Sequence, residues 1–164
     1  MIRSATRAWR LLSVGCALAG AVAIVSTYRV FSQTFDEPAH LASGMEWLSR
    51  GTYHYETQHP PLERVLEALG PYLSGDRSVG KIDQFYEGQL ILGAGEHYRR
   101  SLALARLGVL PFFIALCAVV WLWGGRLMGE AGGALSVLFV AANPDILAHA
   151  GLATTDMAPA TMVA

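Results

Sequence analysis

The chain has 164 residues, 53% of them hydrophobic and 15% charged, with a formal net charge of −1 and a mean hydropathy of +0.37. A soluble domain carries nearer a quarter charged residues, so this composition argues against a water-soluble globule and for a chain in contact with a bilayer. Cys16 and Cys117 each fall inside an apolar run, which argues against a disulfide framework or a thiolate metal site.

Arg3, Arg7 and Arg10 precede an uncharged run at 11–28, long enough to cross the hydrocarbon core as a helix. Ala-x-Ala-like triplets near residues 19–23 resemble a signal-peptide cleavage site, and residues 13–16 faintly resemble a lipoprotein one. The apolar run continues past both, which favours a retained membrane helix over about residues 9–31. The arginines place the N-terminus in the cytoplasm. A polar segment follows, about residues 32–100. The next uncharged run, 107–125, is extended outward by residues 101–106, predicting a second membrane helix over about 101–125. Arg106 lies about one turn inside its boundary and is expected to snorkel to the headgroups. A turn at 126–133 leads to a third, shorter apolar segment over about 131–143, interrupted by Asn143-Pro144. An outer segment and the start of a further helix occupy about 144–164. The last residues are apolar and lack a polar stop, so the chain is expected to be the N-terminal part of one longer multi-pass domain.

Alternation then sorts the chemistry by side. With the N-terminus inside, the long loop and residues 144–156 are outside. All five histidines and twelve of the thirteen carboxylates fall there, Glu130 being the exception. Within the loop, residues 37–50 read as a short amphipathic helix lying in the membrane interface and closed by Gly51, with Pro38 in its first turn and Asp36 at its N-cap. His59-Pro60-Pro61-Leu62 is a rigid corner, extended and then helical, opening a helix that Gly70-Pro71 should stop. Residues 74–95 have no clear assignment.

Asp36 is the foremost candidate for chemistry. It caps a helix, or it acts with its neighbours Glu37 and His40 and with a second outer acid, Asp156, which precedes the last helix. Two carboxylates at one membrane face can divide labour, one taking a proton from an attacking hydroxyl and the other orienting the acceptor or holding a cation. His59 is fixed in height by its prolines. His54, Glu56 and His59 match no tight ligand pattern, so no metal ligands are assigned, although a divalent cation is compatible with them. Arg99 and Arg100, with Arg106, suit either a substrate phosphate or ordinary lipid headgroups. His149, on a short interrupted helix, is either a substrate contact or satisfied by backbone.

Asp36-Glu37-Pro38-Ala39-His40, then His59-Pro60-Pro61-Leu62, then Pro144-Asp145-Ile146-Leu147-Ala148-His149 and Thr155-Asp156 resemble, in order and spacing, the N-terminal part of GT-C-type integral membrane glycosyltransferases. The branch most similar is the protein O-mannosyltransferase and aminoarabinose-transferase group. The resemblance implies an all-α membrane fold and an inverting transfer of a sugar from a polyprenyl-phosphate donor to a protein or lipid hydroxyl on the non-cytoplasmic face. It implies Asp36 as general base, with Glu37 and Asp156 as further acids; beside them His40, His59, Arg99, Arg100 and His149 stand as the candidate substrate contacts. It needs no nucleotide to be cradled and is compatible with a divalent metal, membrane lipids are its surroundings, and no nucleic-acid partner is expected. Two other classes compete. A transporter fragment would carry ionisable groups deep in its spans, and a non-enzymatic assembly protein would have no special use for Asp36 or Asp156.

Overall fold

The computed structural model describes residues 2–81 and 83–164; the side chain of Arg3, counted above among the N-terminal arginines, lies outside the described residues. Those residues form helices and connecting loops with no strand: α1 (Ile2–Thr27), α2 (Glu37–Arg50), α3 (Pro61–Leu73), α4 (Gln84–Leu92), α5 (Gly95–Leu107), α6 (Leu110–Ala142), α7 (Pro144–Ala150) and α8 (Met157–Val163). The all-α expectation holds. Two stretches, Ala5–Thr27 and Gly95–Ala142, are long and apolar enough to cross a membrane.

The helices pack in two layers. In the first, α1 lies along α6, with α7 against both and α8 against α6 and α7, around Ile24, Val109, Phe113, Leu116 and Val137. Outward-facing Leu11, Leu18, Val22, Trp123 and Phe139 leave its flanks apolar and exposed. Helix α6 is not one straight rod. Gly129, at φ 72° and ψ −174°, breaks it, and Gly124 then lies against Gly132 and Trp121 against Gly133. Residues eight and twelve apart meet only if the chain folds back, so α6 is a helical hairpin whose turn falls within the predicted 126–133. Arg10 Nη2 pairs with Glu130 Oε1 at 2.6 Å, tying the start of α1 to that turn.

The second layer is built from the long loop. Helix α2 lies between α3 and α4, with α5 behind α3, around Leu41, Met45, Ala68, Leu92 and Leu102. Helix α2 differs from the expected interfacial helix. Glu37, Ser43, Gly44 and Glu46 are buried along with its apolar stripe, so it is enclosed rather than floating on one face. Gly44 makes that possible: any Cβ there would strike the Arg64 carbonyl of α3. Gly51 ends α2 at φ 68°, as expected. Helix α3 runs through Gly70-Pro71 to Leu73 instead of stopping. A proline so near the end costs one terminal hydrogen bond, and Gly70 is held tightly against Leu104 of α5. The unassigned residues 74–95 contain α4, capped by Asp83, whose Oδ1 accepts from the Tyr86 amide at 2.7 Å.

Arg106 joins the layers, and here the snorkelling expectation is overturned. It is 1% exposed and points into the protein. Its Nε and Nη2 donate to Glu37 Oε1 and Oε2 at 2.8 and 2.9 Å. Nη1 donates to the carbonyls of Tyr28 and Phe31, and Nη2 also to that of Ser32. All five donors of the guanidinium are therefore engaged. A desolvated charge with that many partners is more stable turned inward than at the headgroups. Glu37 is equally enclosed, accepting also from the amides of Thr34 at 2.7 Å and Ala153 at 2.9 Å.

Removing one member of this pair strands the other. Arg106→Met is expected to destabilise the fold by about 3–5 kcal/mol, and Glu37→Gln/Arg106→Met by less than Arg106→Met alone, because no orphaned charge remains. Thermal unfolding in mild detergent checks this; a double variant less stable than the single would contradict it.

A candidate polar cavity at the helix starts

Residues at the N-terminal ends of α2, α3 and α4 and just before α8 line one cavity of about 310 Å³. Asp36 and His40 come from α2, Glu56 and His59 from the loop before α3, Arg64 from α3, Gln84 and Phe85 from α4, and Thr154, Thr155 and Asp156 from the segment before α8. The two aspartates, 120 positions apart in the chain, thus share one chamber.

Neither aspartate is spent on its helix. Asp36 makes no side-chain cap to α2, and Asp156 makes none to α8. Asp156 Oδ2 accepts from Thr154 Oγ1 at 2.8 Å and lies 2.9 Å from His149 Nδ1. The capping alternative therefore does not account for either carboxylate.

Arg64 is the cavity's cation, buried and held on several sides. Its Nε donates to His40 Nδ1 at 2.9 Å and its Nη1 to the Tyr53 hydroxyl at 3.0 Å. Its Nη2 lies 3.3 Å from His59 Nδ1 and 3.5 Å from Glu56 Oε2. Arginine has no acceptor, so His40 must receive at Nδ1 and carry its proton on Nε2. Burial, and then the adjacent guanidinium, push the His40 pKa down to about 4, against the opposing pull of Asp36 and Asp156. His40 is thus a neutral imidazole at neutral pH. The His59 and His40 rings meet edge to face with centroids 6.5 Å apart, and Pro60, at φ −58° and ψ 141°, forms the expected extended corner between His59 and α3. Phe85 packs on the exposed Phe35 ring at 4.8 Å.

The other expected site residues lie elsewhere. Glu37 does not line the cavity; both its oxygens belong to the Arg106 clamp. Burial would raise its carboxyl, but the Arg106 guanidinium and the amides of Ala153 and Thr34 outweigh that and hold it below the usual range. Arg99 and Arg100 sit exposed on α5 and do not reach the cavity. His149 approaches only through Asp156. Of the three residues weighed for a metal, His54 turns instead to Glu46 at 3.2 Å, while His59 stays by Glu56 at 3.3 Å; among the described residues no group of three or more ligands is placed to hold a metal.

Arg64, Gln84 and Phe85 were missed in the sequence. Arg64 had no usable signal: with Glu63 and Glu67 it forms a charged stripe on an amphipathic helix, which reads as a solvated face, whereas all three are buried.

His40 carries a pH signature. Its folded pKa of about 4 lies below the usual 6.5, so the unfolded chain binds this proton more readily. Stability from this site is complete above pH 6.5 and is lost as pH falls towards 4. His40→Gln keeps an acceptor for Arg64 and removes the titration. It should shrink the drop in melting temperature between about pH 7 and about pH 5; an unchanged drop would contradict the assignment. Comparison of the chain with protein-family models, curated proteins and solved structures gave no match.

Proposed function

We propose that this chain carries the acidic half of the active site of an integral membrane glycosyltransferase of GT-C type, which moves a sugar from a polyprenyl-phosphate carrier to a protein or lipid hydroxyl. The observation that carries the reading is the pair Asp36 and Asp156. Both stand at helix starts, both leave their own helices uncapped, and both face one cavity that also holds a buried arginine.

In this reading α1 and the two arms of α6 cross the membrane, with the N-terminus and the Gly129 turn cytoplasmic and the cavity at the non-cytoplasmic surface. The Arg10–Glu130 pair supports the shared end, and the exposed apolar flanks of α1 and α6 suit contact with lipid. Asp36 is the general base. It takes the proton of the acceptor hydroxyl as that oxygen attacks the anomeric carbon, while the bond from that carbon to the phosphate oxygen breaks on the opposite side. The sugar inverts and polyprenyl phosphate leaves with the electron pair. Arg64 supplies positive charge beside the leaving group, helped by the N-terminal ends of α2, α3 and α4. His59 and the neutral His40 orient the donor, and Asp156, steadied by His149 and Thr154, orients the acceptor. Arg64 takes the phosphate role expected of Arg99 and Arg100, which are left to lipid headgroups.

The test is Asp36→Asn in the protein expressed from its own gene, with sugar transfer from a polyprenyl-phosphate donor measured in membranes. Loss of a positioned general base should lower transfer by about 10²–10⁴-fold at unchanged expression. Near-normal transfer would remove Asp36 from the role.

A further inference from the structure

Helix α8 begins without the cap its own sequence offers. Thr154, Thr155 and Asp156 are all good N-cap residues, yet the Asp156 side chain bonds sideways to Thr154 and His149. The first amides of α8 are answered from a different helix. Glu63, on α3, accepts the Ala158 amide through Oε2 at 3.0 Å, and the neighbouring Met157 amide also favours its charged form. Glu63 is 2% exposed; its Oε2 is answered by the Ala158 amide, while among the described residues its Oε1 finds no hydrogen-bond partner.

We infer that Glu63 is a positioning residue for the glycosyl transfer proposed above: it caps α8 in place of Asp156 and so frees the Asp156 carboxylate for the cavity. The inference rests on that functional reading only for its consequence; the capping itself stands on geometry. An aspartate bound to its own helix start would have an oxygen tied to backbone amides. An acceptor supplied from α3 answers the α8 start and leaves the Asp156 carboxylate free of it.

The surroundings support a cap that persists in either protonation state. Burial raises the Glu63 pKa to about 7, against the two amides and with the Asp156 charge adding to the rise. One turn on, Glu67 is fully enclosed, and among the described residues neither of its oxygens finds a hydrogen-bond partner. Burial first, and the neighbouring Glu63 second, raise it well above the carboxylate range, which keeps it neutral. Arg64 on the same helix points to the cavity residues, and Glu37 of α2 is occupied by Arg106. Protonated or not, Glu63 retains an oxygen able to accept from Ala158.

Hydrogen exchange of the intact protein, read by mass spectrometry on peptides spanning residues 154–163, tests the capping. Glu63→Ala should speed exchange at the start of α8 by about tenfold, the shift expected on losing a cap. Glu63→Gln, which keeps an acceptor oxygen, should stay near wild type, and so should Asp156→Asn. Unchanged exchange in Glu63→Ala, or acceleration in Asp156→Asn equal to it, would overturn the assignment. In the transfer assay Glu63→Ala should lower kcat by at least about tenfold with Glu63→Gln restoring it, a rescue that loss of mere bulk would not give. Wild-type membranes that transfer no sugar would defeat the functional reading while the exchange pattern still decided the cap.

Discussion

The Arg106 guanidinium reaches five oxygen atoms on two segments of the chain: the carbonyls of Tyr28, Phe31 and Ser32 after α1, and both oxygens of Glu37 at the start of α2. It thereby fixes how the chain leaves α1, where α2 starts and how both lie against α5. Glu37 passes the constraint on by accepting the Ala153 amide. Asp36 is the residue before Glu37 and Asp156 follows Ala153 by three. One buried ion pair thus places two distant acids around the same chamber without itself entering it. Such pairs contribute little net stability compared with apolar packing; their value here is that only one arrangement satisfies all five donors.

The outer layer repeats this device with other buried carboxylates. Glu46 on α2 accepts from the Thr52 hydroxyl and the amides of His54 and Tyr55, fixing the loop that leads to His59. Glu87 on α4 accepts from the Ser78 hydroxyl and from the amides of Val79, Gly80 and Lys81. Both are held below the usual carboxylate range, because those hydrogen bonds outweigh a burial that would raise them. Loops that would otherwise be free to move are thereby fixed from beneath, and the cavity walls inherit that rigidity.

The elements with strong local signals were legible in the sequence. The apolar runs and the turn at 126–133 gave α1 and the two arms of α6, and Pro38 with Gly51 bounded α2. The corner at Pro60-Pro61 was equally plain. The common end of Asp36 and Asp156 followed from alternation alone. What stayed hidden were long-range polar bonds. Arg106 reads as a headgroup anchor until its partner 69 residues upstream is known. Glu37 reads as a second acid of the site rather than as the partner of Arg106, and nothing in the sequence singles out Glu46, Glu63 and Glu87, because composition does not say which carboxylates turn inward. Helix α4 lacked a clear apolar stripe, and α3 outran its Gly-Pro signal because packing on α5 outweighs one lost hydrogen bond.

The central claim is geometric: the Arg106–Glu37 clamp holds positions 36 and 156 beside one another at the same end of the bundle. Cysteines placed by Asp36→Cys and Asp156→Cys, with Cys16 and Cys117 changed to serine, can be treated in native membranes with a short bifunctional thiol reagent. The account predicts an intramolecular cross-link that forms with Arg106 intact and is lost in Arg106→Met. Two thiols that each react with a monofunctional reagent yet never link would contradict it.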